Sequence, residues 1–423
     1  MATLLLVAAL AVATLTACAG RSPAGQARDG SAVRIAHASG GVNAAAVRSK
    51  PTVILISFDG MRYDYLDRGI TPNLERLARS GVRAQGLIPI FPSTTFPNHY
   101  SIATGMYADR NGIANNRFLA PDIDAFYVYT DSTKVRDARF YFGEPIWNTA
   151  EKQGMVSATF FWVGSEAPVG GIRATTVWNY DEDTADSTRL RALGELLRRP
   201  PETRPHLVAI YFAEVDAVSH RSGPDSPETD RAIARADSLL GVIAGMAAAQ
   251  PATDSVSIVV VSDHGMVNAP NKVVIPEYTD TAGVTITTGP VASLWFHGDS
   301  ARIRRARADL ERMPHARVYL RSELPAAWHY DTPRSGDVII VAEPGWYVDT
   351  RSRSGLPGAH GYPPEVQGMQ GIFVAAGPRI RPGVRIEAFE NVHVYPLLAE
   401  LLRIVPSPAA DGRLDVLRPI LRN

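Results

Sequence analysis

Residues 53–60 read VILISFDG, an uninterrupted apolar run rich in β-branched residues that ends at Asp59 and Gly60. A run of this kind is typical of a strand buried on both faces of a sheet. A helical pattern follows, opened by Thr71 and Pro72 and ended by Gly81. The stretch therefore predicts a strand followed by a helix, which is the first unit of an α/β fold.

The same pattern returns later in the chain. Residues 206–212 and 255–262 are further apolar, β-rich runs, and residues 227–250 between them place apolar side chains at helical spacing. Residues 371–376 supply another core strand. Because a strand, a helix and a strand in succession favour a parallel connection, we expect a central, mostly parallel sheet flanked by helices.

The composition is that of a globular protein. The 423 residues are 45% hydrophobic and 20% charged, which argues against disordered, collagen-like and coiled-coil chains. The 43 basic residues balance 43 acidic ones, so the formal net charge is zero. A neutral chain lacks the long-range field that draws proteins to nucleic acid, and we expect no sequence-specific nucleic-acid binding.

The first residues have the pattern of an export signal. Residues 2–20 carry no charge, and residues 15–18 read LTAC, which is similar to a bacterial lipobox. Cys18 is the only cysteine, and in a lipobox it would be acylated after cleavage. We expect a signal peptide over residues 1–18 and a lipid anchor in a membrane. Cleavage that frees a soluble periplasmic protein and an uncleaved membrane anchor are the alternatives.

The remaining sequence is predicted to form a tether and a folded domain with an insertion. Residues 19–50 are rich in Ala, Gly, Ser and Arg, lack a periodic apolar face, and are predicted to form a flexible tether. Residues 51–423 are predicted to form the folded domain. Within it, residues 270–345 mix short strands with turns and are interpreted as an inserted subdomain.

Acidic and histidine residues follow three of the predicted strands. Asp59 follows the first, Asp216 and His220 the second, and Asp263 and His264 the third. Proteins with parallel sheets bind their ligands beyond the carboxyl ends of the strands. We therefore expect these acidic and histidine side chains to lie close together. Each group alone also fits a helix cap beside a surface histidine, whereas the three together indicate a metal site.

His360 is a sixth candidate ligand. It precedes Gly361 and follows Gly358 by two positions, and glycines let the backbone approach a ligand closely. Three carboxylates and three imidazoles suit two zinc ions about 3.5–4 Å apart, as in two-metal phosphoryl-transfer sites. A single ion would leave donors unused.

A candidate nucleophile lies in residues 92–100, which read PSTTFPNHY. Pro92 and Pro97 fix the backbone on either side of Thr94 and Thr95, and this can hold a short hydroxyl rigidly. A free threonine hydroxyl is a poor nucleophile and needs a metal that favours the alkoxide. The residues also fit a proline-bounded turn without chemistry.

Taken together, the motifs resemble those of the nucleotide pyrophosphatase/phosphodiesterase family of the alkaline phosphatase superfamily. The resemblance extends from residue 51 to about residue 405, and the order and spacing of its segments make it specific. The matching segments are SFDG at 57–60, TFPNHY at 95–100, NGIANN at 111–116, FWVGS at 161–165, Asp216-x3-His220, SDHGM at 262–266 and HGY at 360–362.

The resemblance implies an alkaline-phosphatase-like fold and hydrolysis of phosphodiester or pyrophosphate bonds with Thr95 as the nucleophile. It also implies that Asn116, rather than the adjacent Asn115, donates a hydrogen bond to a phosphoryl oxygen. The implied ligands are Asp216, His220 and His360 for one zinc ion and Asp59, Asp263 and His264 for the other. Thr94 departs from the family, since relatives often have lysine there.

The resemblance favours a small diester or nucleotide as substrate. Monoesterase relatives add cations beside the metals, and residues 161–165 contain none. Phe96 and Tyr180 are candidates to stack on a nucleobase, although both also fit ordinary core aromatics. Two other functions stay open: a phosphate monoesterase of the same superfamily, and a noncatalytic surface lipoprotein that uses the fold for binding.

Overall fold

The structure is a computed structural model that describes residues 33–34, 40–251, 255–352 and 355–422. The predicted signal peptide and lipobox, residues 1–18, lie outside the described residues. Within the described part, no helix combines the length and the apolar character needed to cross a membrane.

The strands of the described residues, in chain order, are β1 (Val33–Arg34), β2 (Thr52–Phe58), β3 (Val82–Ala84), β4 (Leu87–Ile88), β5 (Arg117–Ala120), β6 (Ala125–Val128), β7 (Ser157–Phe160), β8 (Thr176–Trp178), β9 (Leu207–Phe212), β10 (Val256–Val261), β11 (Val267–Ala269), β12 (Asn271–Val274), β13 (Thr285–Thr287), β14 (Val291–Trp295), β15 (Ala316–Leu320), β16 (Val338–Ala342), β17 (Trp346–Asp349), β18 (Leu356–Ala359), β19 (Phe373–Ala376), β20 (Val384–Ile386) and β21 (Phe389–Glu390).

The α-helices of the described residues are α1 (Pro72–Ser80), α2 (Thr95–Thr104), α3 (Ala108–Asn111), α4 (Ser132–Val135), α5 (Ile146–Lys152), α6 (Asp186–Leu197), α7 (Glu214–Ser222), α8 (Pro227–Ala248), α9 (Ser300–Leu310) and α10 (Val394–Leu402). Several single-turn 3-10 helices connect them.

The central sheet has nine strands in the order β1-β8-β7-β9-β2-β10-β19-β3-β20. Strands β8, β7, β9, β2 and β10 are mutually parallel, and β19 is antiparallel to β10. Every residue of β2 is buried, because helices α1, α6 and α8 form one packed layer and α2, α5 and α10 form another. The prediction of a mostly parallel sheet flanked by helices is confirmed.

A second sheet lies later in the chain, with the antiparallel order β13-β14-β16-β15. Its apolar face packs with α9 in a separate hydrophobic cluster that includes Leu294, Leu310 and Ile340. The same cluster includes Tyr362. The second sheet therefore supports the backbone that carries His360.

The chain before Pro51 also packs on the domain. Strand β1 pairs with β8, and Asn43 is buried. The Asn43 side chain donates to the carbonyl oxygens of Pro201 and Arg204, at 2.8 and 2.7 Å, and accepts from the Val156 N–H at 2.7 Å. In the described residues, the predicted tether therefore ends in a segment held by buried hydrogen bonds.

The topology of the sheet fixes where the site forms. Strands β9, β2 and β10 are adjacent and parallel, so their carboxyl ends meet at one edge. Asp59 directly follows β2, and Asp263 follows β10 after Ser262. Helix α7 begins two residues after β9 and carries Asp216 and His220 on one face.

Candidate functional site

The first cluster of side chains consists of Asp216, His220 and His360. The Nε2 atoms of His220 and His360 lie 3.4 and 3.5 Å from Oδ1 of Asp216. The His220 side chain is 35% exposed, whereas His360 is buried. This cluster therefore opens toward solvent on its His220 side.

The second cluster is enclosed and consists of Asp59, Asp263 and His264. The Nε2 atom of His264 lies 3.3 Å from Oδ1 of Asp59 and 3.0 Å from Oδ2 of Asp263, and all three residues are buried. The rings of His264 and His360 stack with centroids 3.5 Å apart. The two clusters are therefore in direct contact through these two rings.

The three imidazoles are held in the same way. Nδ1 of His220, His264 and His360 lies 2.8, 2.9 and 2.9 Å from the backbone carbonyl oxygens of Gly358, Gly265 and Ser93, respectively. A ring whose Nδ1–H donates to a carbonyl presents the lone pair of Nε2, and this arrangement is common for histidines that ligate metals.

The carboxylates also fit a metal centre. Oδ1 of Asp59, Oδ1 of Asp216 and Oδ2 of Asp263 are buried atoms that accept no hydrogen bond. Burial, together with the negative charges of Asp263 and Asp216, raises the pKa of Asp59 well above its usual range. Buried polar atoms without partners are costly, and divalent cations would satisfy these oxygens. Carboxylate and imidazole groups are among the ligands that bind zinc and other divalent metals.

Protonation of His360 is consistent with the same role. Burial and the neighbouring rings of His264 and His220 hold the pKa of His360 well below its usual range. The imidazole is therefore neutral at neutral pH, which is the form that binds a metal.

Thr95 stands beside the second cluster as the first residue of α2. Its Oγ1 lies 3.3 Å from Nε2 of His264. The Phe96 N–H donates to Oδ1 of Asn116 at 2.8 Å, and the Asn98 N–H donates to the Thr94 carbonyl at 3.3 Å. Pro97 has no N–H, so among the described residues the Thr95 N–H is the free donor at this helix end.

The orientation of Asn116 is set by that contact with Phe96. Because Oδ1 accepts from the backbone, the Nδ2 group of Asn116 is available as a donor beside Thr95. Asn115 is occupied differently, since its Oδ1 accepts from the Thr94 hydroxyl at 3.1 Å and from the Asn116 N–H at 2.8 Å.

The two candidate stacking residues pack against different aromatic neighbours. The Phe96 ring contacts the edges of Tyr127 and Tyr129, with centroids 6.0 and 5.6 Å apart. Tyr180 is 50% exposed and lies edge-on to Phe161, at 5.5 Å. Phe96 is only partly buried. Both rings therefore keep exposed surface that a planar ligand group could contact.

Two buried residues of the site were not assigned a role from the sequence. His99 places Nδ1 2.9 Å from the Thr95 carbonyl oxygen and 3.2 Å from Oδ2 of Asp263, and its Nε2 lies 2.8 Å from Oγ of Ser57. The Tyr211 hydroxyl donates to Oδ2 of Asp59 at 2.6 Å. Tyr211 lies inside an apolar strand, where nothing in the sequence distinguishes it from core residues. The position of His99, four residues after Thr95, is the signal from which a role for it could have been inferred.

These observations define a class of protein: an α/β protein with two adjoining carboxylate–imidazole clusters and a threonine hydroxyl at the carboxyl edge of a mostly parallel sheet. The six proposed ligands and the proposed nucleophile Thr95 meet there. Asn116, the proposed hydrogen-bond donor to a phosphoryl oxygen, contacts the Phe96 N–H next to Thr95. Phe96 follows the threonine directly, and Tyr180 lies edge-on to Phe161.

The chain belongs to the type I phosphodiesterase / nucleotide pyrophosphatase family, whose model matches residues 53–363. It is 32% identical over 384 residues to the bis(5'-adenosyl)-triphosphatase of Xenopus laevis, a match that covers 89% of this chain and 82% of the relative. It is 31% identical over 391 residues to human ectonucleotide pyrophosphatase/phosphodiesterase family member 1. That match covers 88% of this chain but 42% of the human protein, so the chain spans less than half of that relative.

Solved structures show the same fold. Murine ectonucleotide pyrophosphatase/phosphodiesterase 5 matches with a TM-score of 0.82 and 28% identity, over 88% of this chain and 100% of the murine chain. An inactive threonine-to-alanine variant of that murine protein, in complex with AMP, matches with the same score, identity and coverage. The fold is therefore alkaline-phosphatase-like, as the sequence predicts.

Substitution of Asp59 tests the electrostatics of the clusters in protein treated with a chelator. In folded protein without metal, Asp59 holds its proton to a higher pH than the ordinary carboxyl, whose pKa is 3.8. Between these two pKa values unfolding releases a proton, so stability falls as the pH rises. We expect Asp59→Asn to raise the melting temperature of chelated protein at pH 8 and to change it little at pH 4.

Asp67 provides a control with the opposite sign. Hydrogen bonds from Arg83 hold the pKa of Asp67 below its usual range, so Asp67→Asn is expected to lower the melting temperature at pH 8. A lower melting temperature for chelated Asp59→Asn at pH 8 would contradict the electrostatic account of this cluster.

Proposed function

We propose that the protein is a zinc-dependent enzyme that hydrolyses phosphodiester or pyrophosphate bonds in nucleotides or related diesters. The observation that carries this proposal is the position of the Thr95 hydroxyl, 3.3 Å from His264 and next to two adjoining ligand clusters. Membership of the family supports the same reaction class. The proposal includes a covalent phosphothreonine intermediate.

Two zinc ions fit the donors present. One would be held by Asp216, His220 and His360, and the other by Asp59, Asp263 and His264. When bound, such ions would favour the alkoxide form of the nucleophile and neutralise negative charge on the phosphoryl oxygens. The three carboxylates and two divalent ions would together carry about one positive charge, which suits an anionic diester.

The reaction then has two displacement steps at phosphorus. Oγ of Thr95 attacks, a bond forms from this oxygen to phosphorus, and the bond to the leaving alcohol or phosphate breaks as that group takes up a proton. Water attacks the phosphothreonine in the second step, so that Thr95 is released and a phosphomonoester is formed. Two inversions give net retention of configuration at phosphorus.

Asn116 and the backbone of Thr95 have a supporting role in both steps. The Nδ2 group of Asn116 and the Thr95 N–H would donate hydrogen bonds to the nonbridging oxygens, where charge develops. Donors of this kind lower the barrier by about 2.7–4 kcal/mol in enzymes with an oxyanion hole.

A diester suits the charges around the clusters. The ion-pair contacts that the described residues make with Asp59, Asp216 and Asp263 all come from histidines. A monoester dianion carries more charge and calls for additional lysine or arginine beside the metals. Phe96 and Tyr180 would contact the base of a nucleotide, and the AMP complex of the murine relative supports a nucleotide ligand.

Substitution of Thr95 is the central test. We expect Thr95→Ala to lower turnover of bis(p-nitrophenyl) phosphate by about 10³-fold or more, because no other hydroxyl occupies that position. Thr104→Ala, at the other end of α2, is the matched control and should stay within about threefold of wild type. Its hydroxyl donates to the Tyr100 carbonyl at 2.8 Å and accepts from the Met106 N–H at 3.3 Å, and neither partner belongs to the ligand clusters. Full activity of Thr95→Ala would rule out the mechanism, and faster turnover of p-nitrophenyl phosphate by wild type would favour a monoesterase.

Removal of the aromatic rings tests base recognition. A stacked base contributes about 1–3 kcal/mol, so Phe96→Ala or Tyr180→Ala is expected to lower kcat/KM for the p-nitrophenyl ester of thymidine 5'-monophosphate by about 5- to 150-fold. The methyl p-nitrophenyl diester has no base and should be affected far less. Equal losses on both substrates would show that the rings do not bind a base.

We also propose that the protein is exported and held to a membrane by acyl chains on Cys18. The uncharged segment before it and the lipobox pattern support this location. Cys18→Ser is expected to move the protein from the membrane fraction to the soluble fraction, as measured by cell fractionation and immunoblotting. A protein that stays in the membrane fraction after this substitution would refute lipid anchoring through Cys18.

A further inference from the structure

Asn98 is a fully buried side chain whose amide is completely hydrogen-bonded. Its Nδ2 group donates to the carbonyl oxygens of Pro92 and Thr94, at 3.0 and 2.8 Å. Its Oδ1 accepts from the Ile90 N–H at 2.7 Å and from Nδ2 of Asn391 at 2.9 Å. Two donors and two acceptor positions are the full capacity of an asparagine amide.

These bonds converge on the turn that leads into Thr95. The Thr94 carbonyl belongs to the peptide group that joins Thr94 to Thr95, so its direction also sets the direction of the Thr95 N–H. The backbone bond to this carbonyl, from the Asn98 N–H, is long at 3.3 Å. The side-chain bond of 2.8 Å therefore supplies the tighter restraint on that peptide plane.

Asn98 also connects the turn to the rest of the domain. Ile90 precedes the turn in the chain, and Asn391 lies in the segment just before α10. Both Asn98 and Asn391 are fully buried, so the restraint is not shared with solvent. A side chain that holds a reacting group in place in this way contributes through pre-organisation.

We propose that Asn98 is a positioning residue that fixes the Thr94–Thr95 peptide and thereby aims both the Thr95 hydroxyl and the Thr95 N–H. This inference rests on the proposed function, in which Thr95 attacks phosphorus. Asn98 touches neither the ligand clusters nor the substrate in this account. Its contribution is to kcat, because a misdirected nucleophile still allows the substrate to bind.

Asn43 offers a matched control for the loss of a buried amide. It is also buried, donates through Nδ2 to two backbone carbonyls, and accepts one backbone N–H. Its partners Val156 and Arg204 precede β7 and β9, at the amino end of the sheet. The site lies at the carboxyl end, so Asn43 has the same two donor bonds to backbone carbonyls, and one acceptor bond fewer, without contact to Thr95.

The experiment compares Asn98→Asp with Asn43→Asp in the full-length, zinc-loaded protein. Aspartate keeps the shape and the acceptors but loses the two N–H donors. We expect similar decreases in melting temperature and equal zinc contents for the two variants. We expect kcat for bis(p-nitrophenyl) phosphate to be about 100-fold lower in Asn98→Asp than in Asn43→Asp, with KM changed less than threefold, since a displacement of about 1 Å costs on this order.

A milder pair covers the case in which either aspartate variant fails to fold. Asn98→Ser and Asn43→Ser leave space for water, and we expect about a tenfold difference in kcat with KM again unchanged. The inference is overturned if the Asn98 and Asn43 variants lose kcat equally, if the loss appears in KM, or if it follows zinc content. Thr95→Ala separates this failure from failure of the proposed function. If Thr95→Ala keeps its activity, Thr95 is not the nucleophile and the proposed function fails, whatever the Asn98 variants show.

Discussion

The central constraint on the site is that the fold places three mutually repelling aspartates close together. Asp59 and Asp263 are fully enclosed, and Asp216 lies close enough to raise the pKa of Asp59. Uncompensated carboxylates at this depth are expensive, so positive charge has to be present for the folded state to keep them ionised. The imidazoles of His220, His264 and His360 are each held at Nδ1 by a backbone carbonyl and direct Nε2 toward the carboxylates. The two divalent cations proposed above would supply that positive charge next to the Thr95 hydroxyl.

Strand order explains why residues far apart in sequence meet. Strands β9, β2 and β10 lie side by side and run in the same direction, so the acidic residues that follow them share one edge. The antiparallel strand β19 comes next, and the chain that leads to it passes through the second sheet. His360 lies in this connecting segment, directly after β18. The core of the second sheet, which includes Tyr362, therefore supports the segment that carries this proposed ligand as well as its own strands.

Much of this arrangement could be predicted from the sequence, and the exceptions have a physical reason. Asp59 and Asp263 follow apolar runs at strand ends, and although each alone also fits a helix cap, their repeated placement at neighbouring parallel strands indicated a shared site. Tyr211 and Asn98 lie within a strand and a helix, and their partners are the Asp59 carboxylate for Tyr211 and, for Asn98, backbone atoms of the preceding turn and the side chain of distant Asn391. No local pattern reports such contacts. The packing of residues 40–50 was missed for the same reason, because it depends on the amide of Asn43 and on the single buried apolar side chain of Val47, which form no periodic apolar face. The roles of Thr95 and Asn116 came from family resemblance.

The six proposed ligands extend from residue 59 to residue 360, with the whole second sheet between the fifth of them and the sixth. Ordering so long a loop is slow, because its closure entropy is lost before the final contacts form. A growing chain therefore contains all three aspartates well before His360 is made. In the proposed two-metal site, cation capture would be a late step of folding, and chains truncated before residue 360 would lack one of the six proposed ligands.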